Sequence, residues 1–168
     1  ELAPQQIRKV MNLSLWTTFR LMYDCKKEMR RAGHCPEVFK GMDLLLRQLK
    51  QQGIQLAIVT SNTRKNCQFY LGNDLYQLFD WVECNASIYG KRKQIKRILK
   101  HAGVPVDQAI YIGDQIIDIQ SAQQNGIASA AVTWGFNNKK ALFAQQPDYL
   151  IDEVEQLVGL LLQTSDLD

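Results

Sequence analysis

From Pro36 to Leu162, short apolar runs take turns with longer amphipathic stretches, most of them closed by a glycine. Alternation of this kind is the pattern of strands and helices in regular succession. Val38–Gln52 spaces Met42, Leu45, Leu46 and Leu49 for one face of a helix that Gly53 ends. Ile54–Val59 then reads as a strand, followed by Thr60-Ser61-Asn62 and a short helix to Gly72. Phe79–Cys84 is a second, weaker strand. Lys91–Ala102 is a helix stopped by Gly103, Ala109–Ile112 a strand, and Gln115–Asn125 a helix stopped by Gly126. A strand at Ile127–Thr133, a loop from Trp134 to Asn138 and a short helix to Gln145 follow. An edge strand at Asp148–Ile151 and a helix at Glu153–Leu162 complete the series. This order predicts an α/β fold in which helices cover both faces of a parallel sheet.

The first 33 or so residues follow a different grammar. They read as helix in two pieces, with Ser14 able to cap the second and Trp16, Phe19 and Tyr23 at helical spacing. A strand through Trp16–Tyr23 is the alternative, because aromatics and threonine favour extended backbone. At 168 residues the chain suits one domain. No apolar run is long enough to span a bilayer. The start, Glu1-Leu-Ala-Pro, is not a signal peptide, so a cytoplasmic protein is expected. Cys25, Cys35, Cys67 and Cys84 form no C-x-x-C pair and are expected as reduced thiols. Zinc held by Cys25, His34 and Cys35 would need a ligand spacing that the chain does not have. A net charge of +3 is too small to argue for nucleic acid as a partner.

Three strand ends carry groups able to do chemistry. Tyr111-Ile-Gly-Asp-Gln-Ile-Ile-Asp-Ile119 places Asp114 at the mouth of a buried strand and Asp118 in the first turn of the next helix. Ligands of open α/β sheets bind at such mouths. Two carboxylates there suit Mg²⁺, which shares its remaining sites with water and a phosphate. The same residues also suit a helix N-cap and a first-turn acid facing the macrodipole. Thr60, with the amides of Ser61 and Asn62 at a helix start, is an anion-binding arrangement or an ordinary cap cluster. Lys91 opens a helix, where the dipole disfavours a cation, so a partner anion would help explain it. Arg92, Lys93, Lys96, Arg97 and Lys100 read as a solvated face. Nucleic-acid binding by this basic helix is the competing reading, and it predicts steep salt dependence.

The ordered set of an apolar strand ending in Thr60-Ser-Asn, then Tyr89-Gly-Lys91, then Tyr111-Ile-Gly-Asp114-x-x-x-Asp118 resembles the haloacid dehalogenase superfamily. Val38-Phe-Lys-Gly-Met42, Ala131-Val-Thr-Trp-Gly-Phe136 and Gln146-Pro-Asp-Tyr-Leu150 match its phosphoglycolate-phosphatase-like branch. The resemblance implies a three-layer αβα, Rossmann-like core over residues 36–162, a partial helical cap over 1–35 and a short tail over 163–168. It implies Thr60 and Lys91 as catalytic and phosphate-binding residues, with Ser61 and Asn62 beside Thr60. Asp114 and Asp118 would hold Mg²⁺, and the partner would be a small phosphorylated metabolite.

One departure from the family pattern stands out. The family's nucleophile lies in a buried strand followed by Asp-x-Asp-Gly-Thr, and this sequence does not contain that motif. Tyr23-Asp24-Cys-Lys26 and Ser165-Asp166-Leu-Asp168 are poor substitutes. The chain therefore reads as a piece of a longer phosphatase, or else as a non-catalytic relative that keeps the phosphate pocket. In the family the strand in question is central, between the strands ending at Thr60 and Gly113. Those two strands are then expected to pair directly, or to leave a gap that a segment of this or another molecule fills. An exposed gap of that kind would also invite pairing between two copies.

Overall fold

In a computed structural model, residues 38–86 and 91–162 are described. The cap segment, the Cys25–His34–Cys35 set, Tyr89-Gly90 and the tail lie outside the described residues. The elements are α1 (Met42–Gln51), β1 (Ala57–Val59), α2 (Arg64–Tyr76), β2 (Trp81–Glu83), α3 (Arg92–Ala102), β3 (Ile110–Gly113), α4 (Ile116–Gln123), β4 (Ala128–Val132), α5 (Lys139–Phe143), β5 (Tyr149–Ile151) and α6 (Val154–Leu162). Every strand pairing is parallel, as the alternation requires.

Local chemistry sets the boundaries where they differ from expectation. Helix α1 starts at Met42 rather than Val38, because Gly41 precedes it in a left-handed conformation. Helix α2 does not stop at Gly72. It kinks there, where φ 67° and ψ 166° suit a residue without a side chain, and resumes to Tyr76. The cap of α2 is Thr63, whose hydroxyl accepts the Asn66 N–H, so Thr60-Ser61-Asn62 forms a loop before the cap. A turn of 3-10 helix at Val106–Gln108, unforeseen in the sequence, leads into β3.

The strands form two separate sheets, β1-β2 and β3-β4-β5. The ends at Thr60 and Gly113 therefore do not pair. Helices hold the halves together instead. On one face Leu45, Leu46 and Leu49 of α1 pack with Leu56 before β1 and with Ala130, Val132 and Ile151 of the larger sheet. On the other, Ile95 of α3 meets Val59 on one side and Ala109 and Tyr111 on the other. Between the halves runs an apolar cleft of about 890 Å³, with β1 and β3 as its walls. Ile112, in a strand of a kind normally buried on both faces, is 36% exposed.

The larger sheet has a polar stitch at its base. Asp148 accepts the N–H and the hydroxyl of buried Ser129, each at 2.8 Å, tying β5 to the start of β4. These two bonds hold the Asp148 carboxyl below its ordinary value of 3.8 despite some burial. A carboxyl depressed on folding contributes stability that is complete above pH 3.8 and is lost as pH falls through the folded value. Asp148→Ala should therefore cost about 1 kcal/mol at neutral pH, discounted for its exposure. Urea midpoints of variant and parent should draw together as pH falls below 3.8, and a gap that stays constant with pH would refute the stitch.

Candidate active site

Thr60 and Asn62 after β1 and Tyr111 and Ile112 of β3 line the same cleft. Lys91 caps α3, and only 13% of its side chain is exposed. Its Nζ lies 2.6 Å from Oδ1 of Asp118, which is buried. Its backbone N–H is held by Oγ of buried Ser121, 3.0 Å away, and that hydroxyl donates to the Ile117 carbonyl. The ammonium also sits 5.7 Å from the centre of the Tyr111 ring, within cation–π range. Lys91 is thus the exception in its basic run, with Asp118 as the anion that explains a cation at a helix start.

Asp118 spends both oxygens on protein donors, since its Oδ2 accepts the Gln115 N–H at 3.2 Å. The cap of α4 is Gln115, so the alternative of Asp114 as that cap is not realised. Burial lifts the Asp118 carboxyl above its ordinary value, Lys91 pulls it back, and the charge of nearby Asp114 pushes it up again. The net shift is upward, as expected where two carboxylates share one partly dry corner.

Asp114 is gripped by the loop after β4. The Phe136 N–H donates to its Oδ2 at 2.6 Å, and the Asn137 N–H donates to its carbonyl at 3.1 Å. Buried Asn137 in turn accepts the Ile116 N–H, at 3.0 Å, so one side chain pins this loop to the start of α4. Two glycines make the fit. A Cβ on Gly113 would stand 2.5 Å from the Cβ of Asp118, and one on Gly135 would lie inside the Asp114 carboxylate.

Thr60 follows β1. Its Oγ1 accepts the Asn62 N–H at 3.0 Å, so that amide serves the loop itself rather than an external anion, contrary to expectation. The hydroxyl hydrogen of Thr60 is left to point elsewhere. The loop is braced from β2, with the Ala86 N–H donating to the Thr60 carbonyl and the Asn85 N–H to that of Asn62. Tyr111 joins the two halves of the site by donating its hydroxyl hydrogen to the Val59 carbonyl at 3.2 Å. Lys91, Asp114 and Asp118 are therefore in one corner. Thr60 is one residue from the carbonyl that Tyr111 holds.

Among the described residues, no three His, Cys, Asp or Glu side chains come together as a metal cluster. A Mg²⁺ ion asks for less, taking one or two carboxylates and completing its octahedron with water and phosphate. The repulsion between Asp114 and Asp118 is a charge surplus that such a cation would relieve. The donor set fits a magnesium ion held chiefly by Asp114.

A haloacid dehalogenase-like hydrolase family model matches residues 1–132. The chain belongs to that family. Within the haloacid dehalogenase-like hydrolases it falls in the phosphoglycolate-phosphatase-like branch. It is 31% identical over 152 residues to a phosphoglycolate phosphatase of Synechococcus elongatus, covering 90% of this chain and 72% of that protein. A phosphoglycolate phosphatase of Pseudomonas savastanoi is 26% identical, covering 72% of this chain and 46% of that one. The chain thus spans about half the length of the Pseudomonas relative. A haloacid dehalogenase-like hydrolase from Streptococcus pneumoniae superposes with a TM-score of 0.66 at 28% identity, over 74% of this chain and 60% of that one.

In this haloacid dehalogenase-like chain, the pairing of Lys91 with an anion and the closeness of Asp114 to Asp118 were legible from sequence. Their supports were not. Ser121, Asn137, Gly135 and the hydroxyl of Tyr111 act across 21 to 52 residues of sequence. The one local signal was the invitation that a helix-starting lysine makes to an anion.

Proposed function

We propose that this chain forms most of the core of a Mg²⁺-dependent phosphatase acting on small phosphomonoesters, with a small phosphorylated metabolite as its partner. The observation that carries the reading is the largely buried Lys91 ammonium, paired to Asp118, whose carboxyl feels the charge of Asp114 just after β3. Asp118 offsets the cost of burying this ammonium, and its bond takes one of the three Nζ donors, which leaves the group able to meet an incoming anion at a ligand-binding mouth. Lys91 neutralises the transferred phosphoryl group. Asp118 orients Lys91 through their ion pair, and Asp114 holds the metal. Thr60 donates its hydroxyl hydrogen to a phosphoryl oxygen, oriented by the Asn62 amide that occupies its lone pair, and Ser61 lies beside it in the same loop. When bound, Mg²⁺ supplies charge to the phosphoryl oxygens and polarises them.

None of these residues is a nucleophile placed to attack phosphorus, and the sequence holds no Asp-x-Asp-Gly-Thr. The cleft between β1 and β3 is apolar and separates two sheets that do not pair, which suits an extended segment bearing that nucleophile at its carboxyl end. The division of labour in this reading is binding and charge neutralisation here, attack from the inserted strand. Phosphate binding without turnover in the longer protein would favour the alternative, a non-catalytic relative that keeps the pocket.

Two measurements test the proposal. With Mg²⁺ and inorganic phosphate together, the melting temperature of this chain should rise, and Lys91→Ala should weaken that protection about tenfold or more in ligand concentration. The chain alone should hydrolyse no phosphomonoester. Mg²⁺-dependent turnover that Asp114→Asn abolishes would show that the nucleophile lies within these residues and overturn the assignment.

A further inference from the structure

Cys67 and Cys84 have no part in the proposed chemistry, yet the fold brings their sulfurs to 3.9 Å across 17 residues of sequence. Cys67 lies in the first turn of α2, its N–H donating to the carbonyl of the cap residue Thr63, and its side chain is buried against the cleft. Cys84 is the first residue after β2 and is only partly buried. Neither is in a disulfide. A sulfur–sulfur bond is about 2.0 Å long, so closure needs an approach of about 2 Å.

We propose that this pair is a disulfide site that closes on exposure to small-molecule disulfides of the glutathione class. The thiolate of the more accessible Cys84 attacks one sulfur of the oxidant, forming a mixed disulfide and expelling one glutathione thiolate. The thiolate of Cys67 then attacks the Cys84 sulfur, forms the internal bond and expels the second. Two cysteine thiols lose two electrons and two protons in total, and one glutathione disulfide becomes two glutathione thiols.

The placement gives the bond a target. Residues on either side of the bridge hold the Thr60–Asn62 loop, through the Thr63 cap at one end and the Asn85 and Ala86 amides at the other. The Thr60 N–H itself donates to the Glu83 carbonyl, one residue before Cys84. Covalent closure therefore fastens both supports of that loop to each other.

The test is to incubate the purified chain with oxidised glutathione, alkylate the remaining thiols and map the linkages by mass spectrometry. A Cys67–Cys84 peptide should appear, and the melting temperature should rise by about 4–10 °C and return on reduction. Exchange of the Asn85 and Ala86 amides with deuterium should slow in the oxidised form. Cys84→Ser, at a partly exposed position, should abolish the rise. A mixed disulfide that stays on Cys84, preferred pairing with Cys25 or Cys35, or a rise that survives Cys84→Ser would overturn the proposal. No readout uses phosphate or metal, so failure here leaves the phosphatase reading standing, and failure there leaves this site standing.

Discussion

Replacing Asp118 by alanine should destabilise the chain by about 3–5 kcal/mol, the cost of stranding one member of a buried ion pair. The substitution leaves the Lys91 ammonium, 13% exposed, without its carboxylate, and the Gln115 N–H without its acceptor. Against a total stability of about 5–15 kcal/mol, the urea midpoint should fall by about 1 M or more. Lys91→Met combined with Asp118→Leu should recover most of the loss, because the penalty belongs to the orphaned charge rather than to the missing bond. The charge itself is no asset to folding. Burial raises the Asp118 carboxyl above 3.8 against the pull of Lys91, with Asp114 adding to the rise. An acid raised on folding makes its ionised form a burden, present above the folded pKa and relieved as pH falls towards 3.8. The parent protein should therefore gain at this site between neutral and mildly acid pH, while the double variant should show no such gain. A single-variant loss below about 1 kcal/mol would mean that water reaches Lys91 and that the corner is not dry.

Gly135→Val is the second substitution expected to act strongly, and it separates metal binding from folding. Its Cβ would occupy the space of the Asp114 carboxylate. The carboxylate must swing out and give up the Phe136 N–H that orients it at 2.6 Å. The strain of overpacking should cost about 1–3 kcal/mol. The larger consequence is for magnesium, because a ligand deprived of the group that aims it typically loses about 10–100-fold in affinity. Titration of Mg²⁺ followed by thermal shift should show that weakening in Gly135→Val and much less in Gly159→Val, in α6, whose added Cβ meets nothing within 4 Å. Equal titrations for both variants would remove Asp114 from the proposed metal site.

How far the sequence could be read depended on the range of the forces involved. Strand existence and the parallel arrangement follow from periodicity, which is local, and they were legible. Helix α3 ends at Ala102 with Gly103 as its left-handed cap, as the pattern predicts. The grouping of Asp114 and Asp118 was legible because strand mouths gather polar groups wherever the strands stand. Caps were harder, since Thr63 competes with three other cap formers in Thr60-Ser61-Asn62, and nothing local ranks them. Gln115 is a poor cap by preference and holds the position because Asp118 answers its N–H. Gly72 carried a stop signal that the fold used as a bend. The split of the sheet was one of two outcomes left open, because whether two strands pair depends on what stands between them.

That split has a mechanical consequence. A continuous ladder of hydrogen bonds makes a sheet stiff, whereas these halves are joined by side-chain packing, the Tyr111–Val59 bond and the ion pairs of α3 with Glu83 and Asp118. Thr60 rides on one half and Asp114 on the other, so the span between them is set by side-chain contacts and not by a shared ladder. Any anion that grips both would act as a clamp across the two halves.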